Sequence, residues 1–180
     1  MDEVLRQQSS RTQADCDRAV FEEGESFGSL FGPPYGPLNP EEVALLTDAF
    51  EHLADKVDAV VQAEKKNWAR LRPYLEDARV VPCVRKETTF SYPSGHATVS
   101  EFEAEVLAHI FTQHDPRFYV ARAHQVGDDR VLGGMHHPTD ILAGQVLGHE
   151  LFAEWSEDPQ FVAEIARLRK LVETNACKSP

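Results

Sequence analysis

No stretch of this 180-residue chain is long and apolar enough to cross a bilayer. The most apolar segment, Ile141 to Trp155, is broken by Gly144, Gln145, Gly148, His149, Glu150 and Glu154, which excludes an integral membrane protein. Cysteine is scarce: Cys16, Cys83 and Cys177 stand far apart with no CxxC pair, which argues against zinc or dithiol redox chemistry. Three thiols, or one disulfide and one thiol, both remain open, and Cys83 could pair with either Cys16 or Cys177. Positive charge is outnumbered, with 18 Lys and Arg against 30 Asp and Glu and a formal net charge of −12, so nucleic acid is excluded as the main partner. Strand-forming sequence is nearly missing, since only Val80 to Val84 reads as extended and Pro82 interrupts it. Met1-Asp2-Glu3 opens an N-terminus without the apolar core of an export signal, so a cytoplasmic protein, or one that has lost such a signal, is expected.

What is present reads as helix. With 42% hydrophobic and 27% charged residues, the chain can bury one core without metals or staples, and residues 1–180 are read as one domain. Residues 1–11 are expected to be a flexible N-terminus and residues 12–175 the core. A helix is expected around Ala14 to Glu23, and the Gly- and Pro-rich run Gly24 to Pro40 is expected to be loop. Asn39-Pro40-Glu41-Glu42 is a helix start, followed by Leu46, Ala49, Phe50, Leu53, Val57, Val60 and Val61 at helical spacing, and Pro73 should stop this helix at Arg72. Further helices are expected from Ser94 or Gly95 to about His114, from Arg117 to Val126, from Pro138 to Trp155, and after Asp158-Pro159 through Leu171. The fold class is therefore all-α, a single-domain helical bundle.

Charge and motif spacing give the chemistry. Between Lys65 and Lys86 seven bases face two acids, a net +5 that leaves −17 for the remainder, and such a local basic focus suits a small anion. On a helix, Lys65 and Arg72 would lie two turns apart on one face and could converge on one anion, although a solvated basic helix end has the same pattern. Ser94-Gly95-His96 sits where a loop enters a helix: backbone N–H groups there favour anions, Gly95 permits close approach and Ser94 adds a hydroxyl, or else Ser94 is only a cap. If Pro138 opens a helix, Asp140 can orient the His136 imidazole and leave its other nitrogen free to attack phosphorus, while Arg130 offers a forked donor to phosphate oxygens. Trp68 and Phe90 flank these stretches and fit core packing or contact with the organic part of a substrate.

Lys65-x6-Arg72-Pro73, Pro93-Ser94-Gly95-His96 and Arg130-x5-His136-x3-Asp140 together resemble the three-part signature of the type 2 phosphatidic acid phosphatase superfamily, which also holds vanadium-dependent haloperoxidases. Within it, Arg70-Leu71-Arg72-Pro73, Ser91 to His96 and the tail from Asp158 to Leu171 are most similar to soluble bacterial class A acid phosphatases. The resemblance implies a metal-independent acid phosphatase acting on water-soluble phosphomonoesters, with vanadate as an inhibitor or transition-state mimic rather than a required cofactor. It implies that His136 is the nucleophile forming a phosphohistidine, that Asp140 orients it, and that His96 is the acid that protonates the leaving group, favoured at acidic pH. Lys65, Arg72, Ser94, Gly95 and Arg130 would bind the phosphate oxygens. Export to the periplasm, and a homo-oligomer, are compatible with that kinship. Asp129 departs from the pattern, standing where the family usually has Ser; it could pair with Arg130 and weaken phosphate binding, or point to solvent. A vanadate-dependent haloperoxidase and a catalytically impaired phosphate- or phospholipid-binding module are the alternatives.

Overall fold

The helix that follows Pro93-Ser94, Gly95–Ile110, is buried on nearly every side, as expected of the central element of a bundle. A computed structural model describes residues 1–176, all-α with no strand among them. In chain order the helices are α1 (Asp2–Ser10), α2 (Gln13–Phe21), α3 (Phe27–Phe31), α4 (Pro40–Trp68), α5 (Pro73–Glu76), α6 (Gly95–Ile110), α7 (Arg117–Leu132), α8 (Pro138–Trp155) and α9 (Pro159–Ala176). Around α6 pack α4, α7, α8 and α9, and the main core joins Phe50, Leu53, Val57 and Val61 of α4 to Val99, Phe102 and Leu107 of α6, Val126 of α7, Phe152 of α8 and Leu168 of α9. None of the described helices is long and apolar enough to cross a membrane.

Helix α8 lies unusually close to α6. A Cβ on Gly144 would fall 2.7 Å from the Ser94 carbonyl oxygen, and one on Gly148 would fall 2.5 Å from the Thr98 carbonyl oxygen. Only glycine admits that approach, and it brings the start of α6 against the start of α8, where the Ser94 N–H donates to the Asp140 carbonyl at 3.0 Å. Two of the three motif segments meet there.

The helix starts follow their local chemistry. Asn39 caps α4, accepting from the N–H groups of Glu41 and Glu42, with Pro40 in the first turn and Glu42 completing the reciprocal cap. Helix α8 spans Pro138–Trp155 as the sequence predicts.

Four expectations need correction. Residues 1–11 are not a flexible arm: α1 buries Val4 beside Val80 and Val131, the Gln8 amide bonds the backbone of Arg79 and Val81, and Arg11 donates to the carbonyls of Val81 and Leu132. The Gly24 to Pro40 run holds the short helix α3, capped by Ser26, because Phe27, Leu30 and Phe31 together bury enough apolar surface to fix one turn. Helix α4 ends at Trp68 rather than Arg72, since Ala69 turns left-handed (φ 48°) and Arg72, preceding Pro73, is extended. Helix α7 runs to Leu132, so Arg130 projects from a helix. Cys16 and Cys83, 67 residues apart in sequence, form a disulfide that ties α2 to the segment before the second motif; Cys177 lies outside the described residues.

Candidate active site

Gly134, at φ +78°, turns the chain between α7 and α8 and delivers His136 to the bundle interior, 1% exposed. Its Nδ1 lies 3.3 Å from the Ser91 hydroxyl and 3.5 Å from Asp140 Oδ2. Asp140 itself is fixed: it accepts from the Ser91 hydroxyl at 2.6 Å, from the His137 N–H at 2.8 Å and from Arg70 Nη1 at 2.7 Å. On the other side of the ring, His136 Nε2 lies 3.1 Å from Arg72 Nη1. A guanidinium only donates, so Nε2 must be the accepting nitrogen and the proton must sit on Nδ1, toward Ser91 and Asp140. Burial, opposed by Asp140 and reinforced by Arg72, Lys65 and Arg130, holds the imidazole pKa down to about 3. His136 is thus a neutral ring with its Nε2 lone pair facing cations. Asp140 is held down to about 2, burial being outweighed by its bonds to His136 and Ser91.

Arg72 is the cation at that nitrogen, and the charges of Lys65 and Arg130 also act on the ring. Arg72 is pinned by the Thr89 carbonyl at 2.9 Å, the Thr89 hydroxyl at 3.0 Å and the Met135 carbonyl at 3.3 Å. Lys65 donates to the Phe90 carbonyl at 2.8 Å, and burial, with Arg72 next, lowers its pKa to about 8. Arg130 donates through Nη2 to Glu87 at 2.9 Å, while its buried Nε and Nη1 have no partner. Lys65 and Arg72 therefore converge as expected, although Arg72 reaches the site from the extended turn after α4 and not from the helix face.

At the start of α6, Ser94 acts as the cap, its hydroxyl oxygen accepting from the Ala97 N–H at 3.4 Å, which leaves its O–H as a donor. His96 is buried with both nitrogens facing acceptors: Nε2 is 3.1 Å from the Glu22 carbonyl and Nδ1 pairs with the Glu25 carboxylate. Glu25 lies against Gly95, where an added Cβ would come within 3.2 Å of its Oε1. Burial would raise the Glu25 carboxyl, but His96, Arg130 and Lys65 bring it down to about 2. The Glu87 carboxyl, which burial would raise, is lowered by the charges of Arg72, Arg130, His96 and His136.

Among the described residues, no cluster of three or more His, Cys, Asp or Glu side chains is arranged to hold a metal ion. Asp129 does neither of the two things expected of it. It is buried and paired with Arg18 of α2 at 2.6 and 2.7 Å, so Arg18 draws its charge away from Arg130. Trp68 and Phe90 are exposed, 63% and 38%, with the Trp68 ring edge-on to Tyr92, so neither serves the core.

The family model described as the PAP2 superfamily matches residues 53–156, more than half the chain. The chain belongs to the PAP2 superfamily. All eight residues expected to form the site fall inside the matched stretch, whereas Arg18 and Glu25 lie before it. A non-specific acid phosphatase of Providencia stuartii is 26% identical over 174 residues, covering 92% of this chain and 68% of its own length. An acid phosphatase of Zymomonas mobilis is 28% identical over 134 residues, covering 68% of this chain and 50% of its own. The chain thus spans half to about two thirds of the length of the curated relatives it matches. In fold it is similar to a transmembrane PAP2-type phosphatidylglycerolphosphate phosphatase from Bacillus subtilis, with a TM-score of 0.61 at 22% identity over 89% of this chain and 85% of the other.

Sequence reasoning missed Glu25, Glu87, Arg70 and Ser91, which the structure pairs with His96, with Arg72 and Arg130, and with Asp140. Arg70 and Ser91 lie within the motif stretches, close to Arg72 and Pro93, and that adjacency is a usable signal. Glu25 and Glu87 come from irregular segments with no motif around them.

Proposed function

We propose that this protein is a phosphatase that hydrolyses water-soluble phosphate monoesters through a phosphohistidine on His136. The observation that carries the reading is the tautomer: His136 Nε2 holds its lone pair toward Arg72, in a buried site also lined by Lys65 and Arg130. In the first step Nε2 attacks phosphorus, the N–P bond forms and the P–O bond to the alcohol breaks. The leaving oxygen takes a proton from His96. In the second step His96 takes a proton from water, the hydroxide attacks phosphorus, and the N–P bond breaks to release inorganic phosphate.

Charge developing on the equatorial oxygens is met by Lys65, Arg72, Arg130 and the first turn of α6 at Ser94-Gly95, and the idle Nε and Nη1 of Arg130 are donors available for that purpose. Because these cations supply the electrostatics, the reaction is expected to need no metal, and vanadate should bind as a mimic of the trigonal transition state. An imidazole that stays neutral down to about pH 3 remains a nucleophile in acid, which supports an acid phosphatase and fits the acid phosphatases that the chain is similar to. The Cys16–Cys83 disulfide supports work in an oxidising compartment such as the periplasm.

The test is release of phosphate from a chromogenic aryl phosphate at acidic pH with chelator present, in wild type and His136→Ala. Turnover in the first and none in the second is expected; turnover retained in the variant refutes the assignment of the nucleophile.

A further inference from the structure

Two buried guanidinium groups, Arg72 and Arg130, each 1% exposed, are joined by the single carboxylate of Glu87 through their Nη2 atoms. Like charges this close repel in a buried setting, with Lys65 adding a third, so the arginine pair needs an anion beside it. Glu87 supplies one. Its own surroundings differ from those of the arginines: it comes from the irregular segment between α5 and α6 and its side chain is 30% exposed, so it has solvent to move into. Arg130, by contrast, is fixed in α7 with two donors idle. A carboxylate has two oxygens where a phosphate has four, which is why Glu87 can engage both Nη2 groups and still leave Arg130 Nε and Nη1 unmet.

We infer that Glu87 is an internal counter-anion, whose carboxylate occupies the arginine donors that phosphate uses and is displaced when the ester enters. This rests on the phosphatase reading above. A phosphate dianion and Glu87 cannot share the same Nη2 donors without close contact between like charges, so substrate binding is an exchange of one anion for another. The exchange weakens ground-state binding of ester and product alike, and it gives inorganic phosphate a competitor that helps it leave. Glu87 thereby sets affinity without touching the reacting bond. The competing view is that Glu87 is a fixed brace that orients the arginines and stays in place.

The experiment compares wild type with Glu87→Gln, using calorimetric titration with inorganic phosphate, KM and kcat on an aryl phosphate, and thermal unfolding with and without phosphate. The exchange predicts that Glu87→Gln binds phosphate about tenfold more tightly or better, with KM falling in parallel, because a like charge has left the cradle. It also predicts a lower melting temperature than wild type in the absence of phosphate, fully recovered by phosphate and not by sodium chloride of equal ionic strength. Weaker phosphate binding in the variant, or a melting deficit that phosphate does not recover, overturns the inference in favour of the brace. Should Glu87→Gln fail to fold, Glu87→Asp, which keeps the charge but draws it back by one methylene, is expected to bind phosphate more tightly than wild type, and weaker binding there overturns it equally. If wild type and variant both fail to bind phosphate, the phosphatase reading falls and takes this inference with it; if wild type binds and the variant binds less, only the inference falls.

Discussion

Replacing Glu103 by glutamine should make the protein more stable as pH rises, and the size of the effect can be worked out from its surroundings. Glu103 projects from α6 into the core at 0% exposure, and neither carboxylate oxygen has a hydrogen-bond partner. Burial, followed by the charges of Glu51 and Glu25, raises its pKa well above 4.5. The folded state therefore binds a proton that the unfolded chain releases near pH 4.5, so stability is lost as pH climbs above that value and continues to fall until the folded pKa is reached. Between the unfolded and the folded pKa, holding that proton costs about 1.4 kcal/mol for each pH unit. Glutamine has nearly the same shape and carries no such proton. Its buried amide introduces a fixed penalty, so the slope with pH carries the prediction rather than the offset. Denaturant unfolding of wild type and Glu103→Gln from pH 4 to pH 8 should give a stability difference that is flat below about pH 4.5 and then moves in favour of the variant by about 1.4 kcal/mol per pH unit until the folded pKa is reached. A difference that does not change with pH would mean that Glu103 is ionised or hydrated in the folded protein, and the reasoning fails.

Arg18→Ala should leave Asp129 buried without its partner and next to Arg130, costing about 3–5 kcal/mol in denaturant unfolding and weakening vanadate inhibition as Asp129 turns to Arg130; unchanged vanadate inhibition in a folded variant would show that Asp129 does not reach the cradle. Gly144→Ala places a Cβ 2.7 Å from the Ser94 carbonyl and should force α8 away from α6, lowering stability by about 1–3 kcal/mol and reducing kcat, which thermal melts and steady-state assays check together. Converting Cys16 and Cys83 to serine opens a loop spanning 67 residues and should cost up to about 4 kcal/mol of unfolding free energy, with no change in KM. For His136, a kcat/KM profile that keeps its nucleophile limb down to about pH 3 is expected, and an acid limb that titrates at His136 near 6.5 contradicts the buried, cation-faced ring.

The parts of the fold that were legible had local grammar. Asn39-Pro40-Glu41-Glu42 and His137-Pro138 mark helix starts because caps and proline act within one turn, and α4 and α8 begin where they say. The proximity of His136 and Asp140 was legible because four residues across a helix start bring the two side chains together. The two carboxylates in the cradle were not. Glu25 and Glu87 come from irregular segments, and each is placed by a long-range charge partner, His96 or the arginine pair, that no spacing encodes. Asp129 could not be read either, since its partner Arg18 sits 111 residues away in a stretch that looks merely polar. Helix α1 was invisible for a related reason: one buried valine and a few side-chain bonds to backbone hold it, too little to leave a periodic pattern. The end of α4 was misplaced because Pro73 limits only its neighbour, whereas the chain had already turned at Ala69, where Arg70 accepts a backbone bond from Ser91.

Under the proposed mechanism, His136 Nε2 is the atom that takes the phosphoryl group. Mixing the enzyme with excess aryl phosphate, quenching in denaturant at alkaline pH and mapping peptides by mass spectrometry measures this directly. A phosphoryl group on the peptide that holds His136, absent in His136→Ala and in Arg72→Ala, is the predicted result. A phosphoryl group on another residue, or steady turnover by His136→Ala with none trapped, contradicts it.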